Sequence, residues 1–165
     1  MLAHKRFFIL GLLVTGMAVV FDQLSKWLIV EKIILPGHNV IEMAPFFNIV
    51  LVRNFGVSFG LFADHRQPLL LTAVSIAIVS ILLTWLYKNT SKLGAWALGS
   101  VMGGAIGNII DRVRYGSVVD FLDFHLGPYH WPAFNIADSC IFIGVVLLCG
   151  SSMFTPRTNQ PEGLK

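Results

Sequence analysis

Asp120 and Asp138 flank the loop that enters the last apolar segment of the chain. Around them in sequence stand Asn108, Arg112, Asp123 and Asn135, and an isolated Asn54 lies further upstream. Two carboxylates brought within about 3–5 Å of each other in a low-dielectric site cannot both ionise easily, so the pair shares one proton. One member is then a base able to deprotonate water, and the other an acid able to polarise a carbonyl, which is the division of labour in aspartic peptidases. The two titrations would belong to the pair and not to either residue. Asn54, Asn108 and Asn135 offer amide donors to such a pair or to a substrate backbone. Arg112 offers a planar, permanently charged fork for an acidic or phosphate-like group.

The segments that must hold these groups are membrane segments. The chain has 165 residues, of which 55% are hydrophobic and 13% charged. A soluble domain carries about 25% charged residues, and the mean hydropathy here is +0.72. The formal net charge of +3 comes without a basic run or a stripe of stacking aromatics, which argues against nucleic acid as a partner. Cys140 and Cys149 share the last apolar segment, about 13–14 Å apart along a helix. They are too far apart for a disulfide, and no Cys-x-x-Cys pattern exists.

Four spans are expected, at about residues 7–30, 69–87, 93–110 and 134–154, each near the length a bilayer requires. The first begins after His4, Lys5 and Arg6, as a secretory signal would. No small-x-small cleavage site follows, however, and the segment continues through Asp22-Gln23-Leu24-Ser25-Lys26. Asp22 and Lys26 are four apart and can pair on one helix face, and a structural ion pair is the simplest role for them. Residues 31–67 contain Pro36-Gly37 and glycines among Phe and Val, which predicts a small β-rich element against the membrane surface. Its aromatics Phe46, Phe47, Phe55, Phe59 and Phe62 suit the interface. In the third span Ala95, Gly99, Gly103 and Gly107 recur every fourth residue, a spacing that lets helix backbones approach closely. Asn108 and Arg112 share another face of that helix. Residues 113–132 read as an outer loop. The tail, 155–165, reads as disordered. The whole chain, 1–165, reads as one integral-membrane domain.

Orientation follows from the basic residues. Lys5, Arg6, Lys88, Lys92, Arg157 and Lys165 crowd into the N-terminus, the short 88–92 loop and the tail, whereas the much longer 31–67 and 111–133 segments hold only Lys32, Arg53, Arg66, Arg112 and Arg114. Both termini are therefore expected in the cytoplasm. The unusual polar residues then gather at the outer face. Ionisable groups in a membrane are costly and are read first as functional. On residues alone, an aspartic peptidase and a small proton- or ion-coupled transporter both remain open. A metal hydrolase using Asp120, Asp123, His125 and His130 is the weaker reading, since no His-Glu-x-x-His helix exists.

Five segments narrow the choice: Asp22-Gln23-Leu24-Ser25-Lys26, Asn54-Phe55-Gly56-Val57-Ser58-Phe59, Gly103 through Arg112, Gly116-Ser117-Val118-Val119-Asp120-Phe121, and Trp131 through Ser139. In this order they resemble the lipoprotein signal peptidase (signal peptidase II) family of bacterial membrane aspartic peptidases. The resemblance implies four transmembrane helices with an outer-face β-cradle and a short surface helix, in the bacterial cytoplasmic (inner) membrane. It implies Asp120 and Asp138 as the catalytic dyad, with Asn54, Asn108, Arg112 and Asn135 binding substrate or supporting the dyad. Asp22, Lys26, Gly107, Asp111 and Ala137 would be structural support. The implied substrates are diacylglyceryl-modified prolipoproteins, cleaved on the amino side of the lipidated cysteine, with no metal or organic cofactor. Membrane lipid is the surrounding partner, and a monomer is expected.

Overall fold

The computed structural model describes residues 2–33, 40–56 and 67–154. In chain order the elements are helix α1 (Leu2–Leu28), continued by a π-helical turn (Ile29–Ile33), strands β1 (Val40–Ala44) and β2 (Phe47–Asn54), helices α2 (Gln67–Lys88) and α3 (Lys92–Tyr115), strands β3 (Val118–Leu126) and β4 (Tyr129–His130), and helix α4 (Ile136–Phe154). The chain is thus a mostly helical membrane fold with a small antiparallel sheet.

Helix α3 is the hub. Ser91 caps its start by accepting the Gly94 N–H on its hydroxyl, and Gly116 ends it in the left-handed conformation, φ 68°, with its N–H donating to the Arg112 carbonyl. The small-residue stripe does what its spacing predicts. A methyl group placed on Gly103 would lie 2.5 Å from the Ala18 Cβ, and one on Gly107 would strike the Asp22 carboxylate, so α1 lies directly against this face. Gly104, one residue round the helix, meets the Ala137 carbonyl of α4 in the same way. Leu82 and Leu86 of α2 pack with Ala95, Leu98, Val101 and Met102 of α3 into the main buried cluster.

The outward faces are apolar. Leu13, Val20, Phe21, Leu69, Leu70, Ile81 and Phe142 are all exposed, which suits lipid and would not suit water. Helices α1, α2 and α3 are long and apolar enough to cross a bilayer, whereas the apolar run of α4 is shorter, Ile136–Gly150.

The sheet has the order β1-β2-β3-β4, antiparallel throughout. Here the structure corrects the sequence reading. Residues 113–132 are not simply a loop: β3 and β4 complete a sheet begun by β1 and β2. Long-range pairing of β2 with β3, Asn48 opposite Asp123 and Val52 opposite Asp120, decides this, and local pattern does not report it. Helix α3 also runs on to Tyr115, past the expected end near 110. Asp111 is satisfied inside the fold, so it does not terminate the helix. Among the described residues there is no separate short surface helix. Phe59, Phe62 and the tail 155–165 lie outside the described residues.

Candidate functional site

The last two turns of α3 point polar groups in two directions. One is a buried ionic cluster. Lys26 Nζ lies 2.8 Å from Asp22 Oδ2 and 2.9 Å from Asp111 Oδ2, and donates to Asn108 Oδ1 at 3.1 Å. The contacts to Asp22 and Asn108 are hydrogen bonds, and the contact to Asp111 is an ion pair. Gln23 Nε2 donates to Asp111 Oδ1 at 2.9 Å and to the Gly107 carbonyl at 3.2 Å. The two carboxylates also reach backbone on other elements. Asp22 Oδ1 accepts the Ala137 N–H at 2.9 Å, in the first turn of α4, and Asp111 Oδ2 accepts the Val119 N–H at 3.1 Å, in β3. One buried cation thus ties α1, α3, β3 and α4 together. Asp22 at the positive end of α4 is also favourably placed for the helix dipole.

The second direction is a cleft of about 430 Å³ lined by Asn54, Asn108, Arg112, Asp120, Asp138 and Trp131, among others. Asn135 precedes α4 and closes a reciprocal cap on it. Its Oδ1 accepts the Asp138 N–H at 3.0 Å, and Asp138 Oδ2 accepts the Asn135 N–H at 3.2 Å. Its Nδ2 donates to Asp120 Oδ1 at 2.7 Å, so one residue holds both carboxylates, Asp120 through its side-chain amide and Asp138 through its backbone N–H. Asn54, at the end of β2, donates from Nδ2 to Asp120 Oδ2 at 2.9 Å. Asn108 donates from Nδ2 to Asp138 Oδ1 at 2.8 Å, which links the cleft to the ionic cluster behind it. Burial, and after it the charge of Asp138, raises the Asp120 carboxyl to about 6, against the hydrogen bonds from Asn54 and Asn135 that favour its ionised form. An apolar groove of about 400 Å³ adjoins the cleft, sharing Trp131, Phe134 and Asp138 and continuing past Phe142 and Ile143.

The structure therefore brings Asn54, Asn108, Arg112, Asp120, Asn135 and Asp138 together, and it sets Asp22, Lys26, Gly107, Asp111 and Ala137 behind them. Asp123 falls elsewhere. It lies three residues along β3 from Asp120, hence on the other face of the strand. There its carboxylate accepts from Asn48 Nδ2 at 3.0 Å and meets His130 Nδ1 at 2.9 Å, with His125 stacked on His130 at 4.8 Å. Gln23 received no role from sequence, although an amide beside a membrane aspartate is a usable signal. Trp131 and Phe134 gave none, because their place in the cleft wall depends on the bridge between Leu122 and Phe134.

Fold and cleft together define an integral membrane enzyme. The chain superposes on a bacterial membrane enzyme solved by the in meso method at 2.3 Å resolution, with TM-score 0.77, 30% identity and 94% of each chain covered. A second such structure, at 1.9 Å, gives TM-score 0.74 at 31% identity, covering 88% of this chain and 94% of that one. Residues 14–154 match the family described as signal peptidase (SPase) II. The lipoprotein signal peptidase of Syntrophotalea carbinolica is 48% identical over 143 residues, 83% of this chain and 86% of that protein. That of Paraburkholderia phymatum is 48% identical over 139 residues, 82% of each. The chain belongs to the signal peptidase II family of aspartic endopeptidases.

Proposed function

We propose that the protein removes the signal peptide from diacylglyceryl-modified prolipoproteins, cutting on the amino side of the lipidated cysteine, with Asp120 and Asp138 as its two catalytic carboxylates. The observation that carries this is Asn135 hydrogen-bonded to both carboxylates of one cleft, to Asp120 from its side-chain amide and to Asp138 from its backbone N–H. The substrate arrives laterally from the lipid. The adjoining apolar groove past Phe142 and Ile143 gives its acyl chains a path out of the cleft. All four helices, α4 included, cross the inner membrane, with both termini cytoplasmic and the cleft toward the outer face.

Asp120 holds the shared proton, consistent with its raised carboxyl. Asp138 accepts a proton from water as the water oxygen bonds to the scissile carbonyl carbon, while Asp120 protonates the carbonyl oxygen. The C–N bond then breaks, the nitrogen takes the proton from Asp138, and one diol proton returns to Asp120. Asn54, Asn108 and Asn135 fix the two carboxyl groups before substrate arrives, so no reorganisation is required in the transition state. Arg112 supplies positive charge at the cleft wall. Asp22, Lys26, Gly107, Asp111 and Ala137 hold the helices that carry these groups.

The test is cleavage of a diacylglyceryl-modified prolipoprotein by the purified protein in detergent, read as a mass shift on a gel, beside Asp120→Asn and Asp138→Asn. Cleavage by the parent alone is expected. Cleavage surviving either substitution overturns the two-carboxylate mechanism, and no cleavage by the parent overturns the proposed substrate.

A further inference from the structure

At the end of the bundle remote from the cleft, a second cavity opens between the start of α1 and the end of α2. Its volume is about 720 Å³, and His4, Lys5, Phe8, Tyr87 and Lys88 line it. Lys5 and Asp22 stand seventeen positions apart on α1, about 25 Å, so the cavity lies close to one hydrocarbon thickness from the ionic cluster. It therefore sits at the opposite membrane surface.

Its chemistry is two-part. Lys5 and Lys88 bring ammonium groups from two helices to one mouth. Among the described residues, no acidic residue lines it. The inner wall is aromatic: the Phe8 and Tyr87 rings meet edge to face at 5.8 Å. A cationic rim above an aromatic wall at headgroup depth matches an anionic headgroup with its acyl chains turned into the bilayer. A soluble phosphate ester would use the rim and leave the wall unfilled.

We infer that this cavity is a binding site for one anionic phospholipid of the leaflet opposite the cleft, its phosphate held between Lys5 and Lys88 and its glycerol and upper acyl chain against Phe8 and Tyr87. The site touches none of the cleft residues, so it stands or falls independently of the peptidase assignment.

Native mass spectrometry of the full-length protein in detergent, titrated with phosphatidylglycerol, tests this. One tightly bound phosphatidylglycerol is expected, with phosphatidylcholine binding about tenfold or more weakly. Lys5→Gln with Lys88→Gln should weaken that first site about tenfold. Lys5→Arg with Lys88→Arg should retain it, and so should the charge-matched Lys32→Gln with Arg114→Gln. Glycerol 3-phosphate in large excess should not displace the lipid. Equal binding of the two lipids, unchanged binding by the double glutamine variant with native helical circular dichroism, or displacement by glycerol 3-phosphate would each overturn the site.

Discussion

Asn135 and Asp138 exchange hydrogen bonds in both directions, 3.0 Å from the Asp138 N–H to Asn135 Oδ1 and 3.2 Å from the Asn135 N–H to Asp138 Oδ2. The same Asn135 side chain holds Asp120 at 2.7 Å. A helix cap and a carboxylate bridge are thus one residue. Asn135→Ser keeps a competent cap but is too short to bridge. It is expected to unfold near the parent temperature yet lose about 100-fold in kcat, the usual cost of losing one positioned donor. Near-normal kcat for a folded Asn135→Ser would remove the bridge from the mechanism.

The Asp120 carboxyl stands at about 6, above the usual carboxylate range, so it carries its proton below that pH and loses it above. If that proton is the one given to the carbonyl, kcat/KM falls about tenfold per pH unit on the alkaline side. The Asn54 hydrogen bond favours the ionised form. Asn54→Leu should therefore move the alkaline limb to higher pH while lowering the maximum. A limb that stays fixed, or moves down, contradicts the assignment of the proton to Asp120.

Lys26 lies between Asp22 and Asp111 and pairs with both, with 4%, 0% and 1% of their surfaces exposed. Lys26→Met leaves two buried carboxylates without it and should cost about 3–5 kcal/mol, seen as a large fall in thermal midpoint in detergent. Adding Asp22→Asn and Asp111→Asn to Lys26→Met should recover much of the loss. No recovery would mean that the stabilisation comes from packing of the lysine stem.

Gly107 leaves no room for a methyl group beside the Asp22 carboxylate and Ala137. Gly107→Ala should destabilise by about 1–3 kcal/mol through overpacking, despite the better helix propensity of alanine. A thermal midpoint equal to or above the parent's would show that α1 and α4 can move apart at no cost.

Arg112 lines the cleft within electrostatic range of Asp138, Asp111 and Asp120. Arg112→Lys keeps the charge and loses the planar fork. Activity should fall at least about tenfold with the thermal midpoint retained. Unchanged turnover would place Arg112 outside the site.

Much of this was readable from residues. Membrane character, the small-residue stripe of α3 and the Asp22–Lys26 pair follow from composition and from spacings of four, because helical geometry converts spacing directly into a shared face, whereas the packing of α1 on that stripe is seen only in the fold. The five motifs pointed to the family, with Asp120 and Asp138 as the pair to examine. Sequence order could not show that Asp111 turns toward Lys26 while Asn108, three residues earlier, faces both Lys26 and Asp138. Nor could it separate Asp123 from Asp120, which differ only in which face of β3 they occupy. That distinction arises when residues 118–126 pair with residues 47–54 across more than sixty residues of chain. Strand pairing at such separation is decided by the packed whole, and only the tertiary structure brings Asn54, Asp120 and Asp138 to one cleft.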